Sequence, residues 1–329
     1  MNVLGIESSC DETSVALIRD GRVICNDIYS QTEHSKFGGV VPEVASRAHL
    51  EKIGPMAFGV LEKASVQPSE LDLIAVTDSP GLAGALLVGV SFALGMHSRY
   101  GVPITGVNHL EGHISSLFIE YPEIPTPFLV LVASGGHSAI YLFEEFGKYC
   151  CLGQTVDDAA GEAFDKVGKL LGYNYPAGRA IEQEASKAKE SKGILFPVAR
   201  FSSPDSLDFS FSGLKTAVKN YLKNQGEQFV QENRSRICHA FQKAVIKSLT
   251  SNLQAASEKT GIKTVAVAGG VACNQTLREE LTRKFGRDHV FFPPPSLCTD
   301  NGAMIAMAGY KRAQIHQTRF PEMDPGRGI

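Results

Sequence analysis

The sequence predicts an α/β protein of two lobes, and three observations carry the prediction. Its 329 residues suffice for about two domains and for burying roughly three quarters of the unfolded surface. A strand, a small polar turn and a second strand over residues 3–18 return without gaps over residues 128–143, with Ser9 falling on Ser134 and Thr13 on Ser138. Between and after these hairpins, apolar strands alternate with helices; the strongest such unit is strand 263–268, the Gly269-Gly270 turn and helix 274–281.

The elements follow in order. Val3-Leu4-Gly5-Ile6 reads as a buried strand, Ser8-Ser9-Cys10-Asp11-Glu12 as a polar turn, and residues 13–18 as a second strand. Residues 22–30 give a third strand. Phe37-Gly38-Gly39-Val40-Val41-Pro42 then turns into a helix from Glu43 that is kinked or ended near Pro55. Residues 71–77 form an apolar strand, and Asp78-Ser79-Pro80-Gly81 opens a helix over 81–95 whose Gly and Ala residues allow close backbone approach. Residues 102–108 read as a short strand running into a helix capped by Asn108. In the second half, helix 157–171, the turn Tyr175-Pro176-Ala177-Gly178, a solvated helix end at 185–193, a loop over 201–211, a helix from Gly213 and a long helix over 236–249 precede strand 263–268. Phe291-Phe292-Pro293-Pro294-Pro295 closes a strand and a rigid loop, and Thr299-Asp300-Asn301-Gly302 begins a small-residue helix over 303–308.

Composition excludes several classes. With 43% hydrophobic and 20% charged residues the chain is ordinary for a globular protein, and no apolar run is long enough to cross a membrane. Met1 leads straight into a strand with no signal-type segment, so a cytoplasmic location is expected. The seven cysteines form no C-x-x-C pair, which argues for free thiols and against a zinc-thiolate site. A net charge of -3 gives no global attraction to nucleic acid, so an RNA partner must be held by a local patch or by other subunits.

Chemistry is concentrated in a few places. His109 and His113 stand four apart on the first turns of their helix, so both imidazoles share one face and can hold one metal ion. Two half-exposed helix histidines are the ordinary alternative, but the pair lies beside a strand end, where α/β proteins place ligands. Glu111 is rotated about 200° from His109 and does not directly follow it, as the general base of a zinc protease would. The Ser134-Gly135-Gly136 turn can bring bare backbone NH groups close to a phosphate. Gly269-Gly270 also fits a plain βα turn, and Thr299 or Asp300 fits a helix N-cap.

Six segments, in this order along nearly the whole chain, resemble the TsaD (Gcp/YgjD) family: Gly5-Ile6-Glu7-Ser8-Ser9-Cys10-Asp11-Glu12-Thr13, Phe37-Gly38-Gly39-Val40-Val41-Pro42-Glu43, His109 to His113, Ser134-Gly135-Gly136-His137, Ala268-Gly269-Gly270-Val271 and Thr299-Asp300-Asn301-Gly302. The resemblance implies an α/β, two-lobed, actin-like and sugar-kinase-like (ASKHA) fold with duplicated βββαβαβα-type lobes. We place one lobe at residues 1–108 and 300–329 and the other at 109–299. It implies transfer of a threonylcarbamoyl group from threonylcarbamoyl-AMP to N6 of the adenosine next to the anticodon, in tRNAs that read codons beginning with A. It also implies one divalent metal ion, iron or zinc, on His109, His113 and Asp300. Implied adenylate positions are Val132, Ala133, Ser134, Gly135, Gly136, Asp165, Gly178, Glu182 and Asn274. Implied helpers are a TsaB paralogue and the TsaE ATPase.

Two departures from the family pattern bear on this. The family often has Asp where Glu182 stands, and archaeal and eukaryotic relatives carry a metal-binding Tyr where this chain has Val132, which leaves the metal a more open shell. An exocyclic adenine amine is a poor nucleophile, so a carboxylate is needed to orient it or take its proton; Asp11 and Glu12, on the first turn, are the candidates. A metal held by His109 and His113 on one lobe and Asp300 on the other would bridge the two. A kinase or a carbamoyltransferase acting on a hydroxyl could share the fold, but a plain sugar kinase has no use for the histidine pair. A non-catalytic scaffold would lack the three metal ligands.

Overall fold

The computed structural model describes residues 1–36, 39–199, 201–203 and 205–329. Phe37 and Gly38 of the expected glycine turn, and Pro204 of the 201–211 loop, lie outside the described residues. The chain divides into two compact units. Unit one is Met1–Ile124, Phe146–Lys148 and Pro293–Ile329; unit two is Pro125–Glu145 and Tyr149–Phe292.

Unit one begins with strands β1 (Asn2–Glu7), β2 (Glu12–Arg19) and β3 (Arg22–Ser30), then helix α1 (Pro42–Lys63), strand β4 (Leu73–Ser79), helix α2 (Ala83–Tyr100), strand β5 (Ile104–Asn108) and the short helices α3 (His109–Ser115) and α4 (Leu117–Glu120). Its sheet has the order β3-β2-β1-β4-β5. Unit two contains strands β6 (Phe128–Ala133), β7 (Ser138–Glu145) and, from its second residue on, β8 (Lys148–Gln154), and helices α5 (Ala160–Leu170), α6 (Gly178–Ala185), α7 (Ser212–Gln225), α8 (Glu227–Glu232) and α9 (Arg234–Thr260). Strand β9 (Val265–Ala268), helix α10 (Gln275–Phe285) and strand β10 (Val290–Phe291) complete it, and the chain returns to unit one as helix α11 (Gly302–Gln314). The second sheet, read from β8, runs β8-β7-β6-β9-β10, the same order as the first.

The duplicated hairpin holds residue for residue. Val3 pairs with Ile18 across β1 and β2, and Phe128 with Phe143 across β6 and β7, as the gapless alignment requires. In each unit the first strand also pairs in parallel with a later one, β1 with β4 and β6 with β9. Strands covered on both faces read as continuous apolar runs. On one face of the first sheet, Leu4, Ile6, Ile74 and Val76 pack in a core that takes in Ile53, Val60 and Ala93 of α1 and α2. On the other, Val3, Ile18 and Leu73 pack with Met304, Ile305 and Ala308 of α11. α11 can press onto β1 because two glycines meet: a Cβ on Gly5 would stand 2.1 Å from the Gly302 carbonyl oxygen.

Three expectations are corrected. Of the two readings at Pro55, an end to α1 is ruled out, since the helix runs on to Lys63; Pro55 and the residue four before it, Glu51, are both exposed, so water can take the place of the missing backbone bond. The expected lobe boundaries at 108/109 and 299/300 fall inside unit one, because α3 packs on α11 and Leu297 packs with Ala16 of β2 and Ala303 of α11. His109, His113 and Asp300 therefore belong to one unit, and a metal shared between two lobes is not what the structure holds. Among the described residues, no helix is long and apolar enough to cross a membrane, and all seven cysteines are free thiols.

Candidate active site

In unit one, the parallel strand β5 ends at Asn108, whose side-chain oxygen accepts hydrogen bonds from Leu110 N at 2.9 Å and Glu111 N at 3.4 Å. This cap starts α3 at its first residue and puts His109 and His113 on one face. Their ring centroids are 4.6 Å apart, edge to face. Asp300 arrives on the loop before α11. The capping role there falls to Asn301, which accepts from Met304 N at 3.0 Å, so the alternative reading of Asp300 or Thr299 as the helix cap is replaced. Asp300 Oδ1 lies 3.5 Å from His109 Nε2 and 3.2 Å from His113 Nε2. One donor atom from each of the three residues lies within 4.8 Å of the others.

The ring of His109 is fixed from behind by Glu7, which is fully buried. Glu7 Oε2 stands 3.0 Å from His109 Nδ1 and accepts from Thr77 Oγ1 at 2.7 Å, while Oε1 accepts from Ser9 N at 2.6 Å. A carboxylate at Nδ1 holds a proton there, which makes Nε2 the nitrogen turned to Asp300 and the one whose lone pair a metal ion would take once its own proton leaves. Burial alone would raise the Glu7 carboxyl, but the charge of His109 outweighs it and holds Glu7 below its ordinary range. Burial likewise lowers His109, but the carboxylates of Asp300 and Glu7 outweigh it and bring the ring to about 9. His113 is fully buried, and neither of its ring nitrogens has a hydrogen-bond partner among the described residues; the 3.2 Å approach to Asp300 lacks hydrogen-bond geometry. An unpartnered buried imidazole is costly. Two imidazole nitrogens, one of them on the orphaned His113 ring, and a carboxylate oxygen fit a divalent ion with N and O donors and open positions.

Asp11 and Glu12 sit on the same hairpin turn, Glu12 opening β2. Burial first, then the carboxylates of Asp300 and Asp11, push the Glu12 carboxyl well above its ordinary value. Burial and the same two acids push the neighbouring Cys10 thiol up. An excess of acid around two imidazoles favours a cation. Glu111 points elsewhere: it is fully buried and bound by Arg312 of α11, Nε to Oε1 at 2.8 Å and Nη2 to Oε2 at 2.5 Å.

The remaining candidates all lie in unit two. Val132 and Ala133 are buried in β6, and the chain leaves that strand through an exposed Gly135-Gly136 turn closed by Ser134 N donating to the His137 carbonyl at 2.8 Å. α5 begins against this turn, Gly161 N donating to the Ser134 carbonyl at 3.1 Å. A Cβ on Gly161 would come 2.5 Å from that oxygen, and one on Gly269, at φ +89°, 2.5 Å from the Ala133 carbonyl oxygen. The Ser134 and Gly269 turns are thus neighbours at the ends of parallel strands, where open α/β sheets bind ligands. A Cβ on Gly135 or Gly136 would meet nothing within 4 Å, and neither φ is positive. Their openness, not strain, leaves backbone NH groups accessible. Asn274 caps α10 by accepting from Leu277 N at 3.0 Å and donates to Gln242 at 2.9 Å. Glu182 accepts from Gln275 N at 2.6 Å, and Asp165 accepts from Ala177 N at 2.7 Å, just before Gly178 opens α6. Glu182 and Asn274 therefore meet at the start of α10.

Sequence reasoning missed Glu7 as a site residue, and with it Gly161 and Gln242. The one available signal for Glu7 was a carboxylate ending an otherwise apolar buried strand.

Residues 22–307 match the family described as TsaD: tRNA N6-adenosine threonylcarbamoyltransferase. The tRNA N6-adenosine threonylcarbamoyltransferase of Clostridium novyi (strain NT) is 47% identical over 314 residues, 94% of this chain and 92% of that protein. That of Geotalea uraniireducens (strain Rf4) is 50% identical over 313 residues, 94% of this chain and 90% of that protein. Among solved structures, T. kodakarensis HypF covers 96% of this chain and 48% of its own, with TM-score 0.65 at 14% identity. A ROK family protein from Streptococcus pneumoniae TIGR4 covers 96% of this chain and all of its own, with TM-score 0.55 at 12% identity. These two likenesses show the expected actin-like, sugar-kinase-like fold, and the match over most of the chain shows that it belongs to the TsaD family of tRNA N6-adenosine threonylcarbamoyltransferases.

Proposed function

We propose that this acyltransferase moves the threonylcarbamoyl group of threonylcarbamoyl-AMP onto N6 of the adenosine next to the anticodon of tRNAs that read codons beginning with A, using one divalent metal ion, iron or zinc, on His109, His113 and Asp300. The observation that supports the metal most directly is the buried, unpartnered His113 ring beside Asp300, with Glu7 orienting His109 from behind. Such an ion supplies Lewis-acid stabilisation of negative charge as AMP leaves.

The chain's own groups do the rest. The open NH groups of Gly135 and Gly136 donate to the adenylate phosphate, and Glu182 and Asn274, at the start of α10, flank the nucleoside. Asp11 orients the adenine amine and takes the proton it loses as the new C–N bond forms and the carbamoyl C–O bond to AMP breaks. Glu12, pushed up by burial and then by its acidic surroundings, is the hydrogen-bonded neighbour that holds Asp11 in place. The acidic balance of the chain agrees with help from a TsaB paralogue and the TsaE ATPase in the cytoplasm.

A transfer assay on unmodified tRNA with supplied threonylcarbamoyl-AMP tests the reading. The intact protein with its helpers should form threonylcarbamoyladenosine, and His113→Ala should not. Formation of the product at an unchanged rate by His113→Ala would refute the metal's part in it.

A further inference from the structure

The segment Arg319–Gly328 runs along the open edge of β5 and is anchored on one buried side chain, Asp78 of β4. Gly106 N donates to the Arg319 carbonyl at 2.9 Å, and Arg319 N to Thr105 Oγ1 at 3.1 Å, which covers an edge that would otherwise leave its backbone groups unpaired. Asp78 is fully buried and receives the Arg319 guanidinium at both oxygens, Nη2 at 2.7 Å from Oδ1. Glu322 N donates to Asp78 Oδ2 at 2.9 Å and Asp324 N to the Asp78 carbonyl at 3.0 Å, while Pro325 accepts from Gly81 N at 3.2 Å. A Cβ on Gly106 would fall 2.0 Å from Asp78 Oδ2, so glycine is what leaves the anchor room.

From that anchor the segment reaches Asn108. The Asn108 Nδ2 group donates to the carbonyls of Arg327 and Gly328, each at 3.1 Å, while its Oδ1 caps α3. The amide can stand only this way round, because its oxygen faces two NH groups and its nitrogen faces two carbonyls. Asn108 is 4% exposed, and the next residue is His109.

We infer that Asn108 is a positioning residue for the His109–His113–Asp300 centre: one amide ties the first turn of α3, and with it both imidazoles, to a segment anchored on Asp78. The inference rests on the metal reading above, but it assigns parts to Asn108, Asp78 and residues 319–328 that the reading does not need. A helix cap alone requires only the side-chain oxygen. The second half of the amide has no use other than to hold the cap against the segment.

The test separates the two halves of the amide. A chain stopped after Pro325 keeps the hydrogen bonds to Asp78 and loses the two carbonyls that hold Nδ2, together with the Arg327 ion pairs to Glu322 and Asp324; Arg327→Ala in the full chain removes those pairs alone and should keep zinc affinity, and an equal loss in it would overturn the inference. Asn108→Asp in the full chain keeps the capping oxygen and loses the donor. Zinc affinity, measured by competition with a chromophoric chelator, should fall roughly tenfold or more in the shortened chain and in Asn108→Asp, the size usual for a lost support behind a metal ligand. Combining the two changes should add little, since both remove the same tie. In the metal-free shortened chain, the Leu110 and Glu111 amides should exchange with solvent about tenfold faster than in the intact chain, with no loss of overall fold. Unchanged zinc affinity and unchanged exchange in the shortened chain would overturn the inference and leave the metal reading standing. Additive losses from the two changes would overturn it as well. An intact chain that takes up no zinc or iron would overturn the metal reading, and this inference with it.

Discussion

Glu111 and Arg312 form a two-pronged ion pair between α3 and α11, with Glu111 fully buried and the Arg312 side chain 15% exposed. α3 carries His109 and His113, and α11 follows Asp300, so this pair clamps together the two elements that bring the site's donors into reach. Removing one member leaves the other charge buried without its partner. We expect Glu111→Ala to destabilise the protein by about 3 kcal/mol and to weaken metal binding in parallel. Replacing both, as Glu111→Leu with Arg312→Met, should cost less than Glu111→Ala alone. Denaturant unfolding of the single and double variants checks this, and a double variant less stable than Glu111→Ala would contradict it.

Glu7→Gln tests how His109 is held. The amide keeps the shape but can present NH₂ to His109 Nδ1, which would move the ring proton to Nε2 and turn a donor bond, not a lone pair, toward Asp300. Metal affinity should drop roughly 10- to 100-fold, and loss of the buried ion pair with His109 should lower the melting temperature of the metal-free protein as well. Isothermal titration with zinc on the metal-free variant gives the answer, and retained affinity would remove Glu7 from the account.

Two glycines near the Ser134 turn should behave oppositely. Gly136 is open, so Gly136→Val should alter stability by no more than about 0.5 kcal/mol, yet block adenylate binding by crowding the phosphate. Gly161 is pressed on the Ser134 carbonyl, so Gly161→Ala should destabilise by roughly 1–3 kcal/mol. Calorimetry with a non-hydrolysable adenylate, beside thermal melts of both variants, distinguishes the two effects. Equal melts for the two, or normal adenylate binding by Gly136→Val, would contradict the placement.

Asn274 does double duty as the α10 cap and as a partner of Gln242. Asn274→Ala should cost about 1 kcal/mol for the cap and more for the buried Gln242 amide, whose oxygen would lose its donor. Asn274→Asp, which keeps the cap, should recover most of the first part only. Melting temperatures of the two variants compare these directly.

The parts of the fold that were legible from residue order are those set by local pattern. The hairpins at β1–β2 and β6–β7 carry their alternation and turn chemistry within sixteen residues, and the register of Val3 with Ile18 and Phe128 with Phe143 followed. The shared face of His109 and His113 is likewise a matter of helical spacing. What was not legible depends on packing between distant residues. No spacing rule tells that α3 lies on α11, so boundaries read from the sequence alone fall inside unit one and put Asp300 on the other lobe from His109 and His113. The capping of α11 by Asn301, one residue past the two candidates, was decided by which side chain could turn back to Met304. Glu7 showed only as an acid in an apolar strand; its meaning depends on Thr77 and His109, both far along the chain.

The proposed function stands on one catalytic metal ion held by His109, His113 and Asp300. Elemental analysis of purified Asp300→Ala, run beside transfer activity on unmodified tRNA, tests it most directly. Metal content and threonylcarbamoyl transfer should be lost together, as in His113→Ala. An Asp300→Ala protein that keeps one equivalent of metal and full transfer would contradict it.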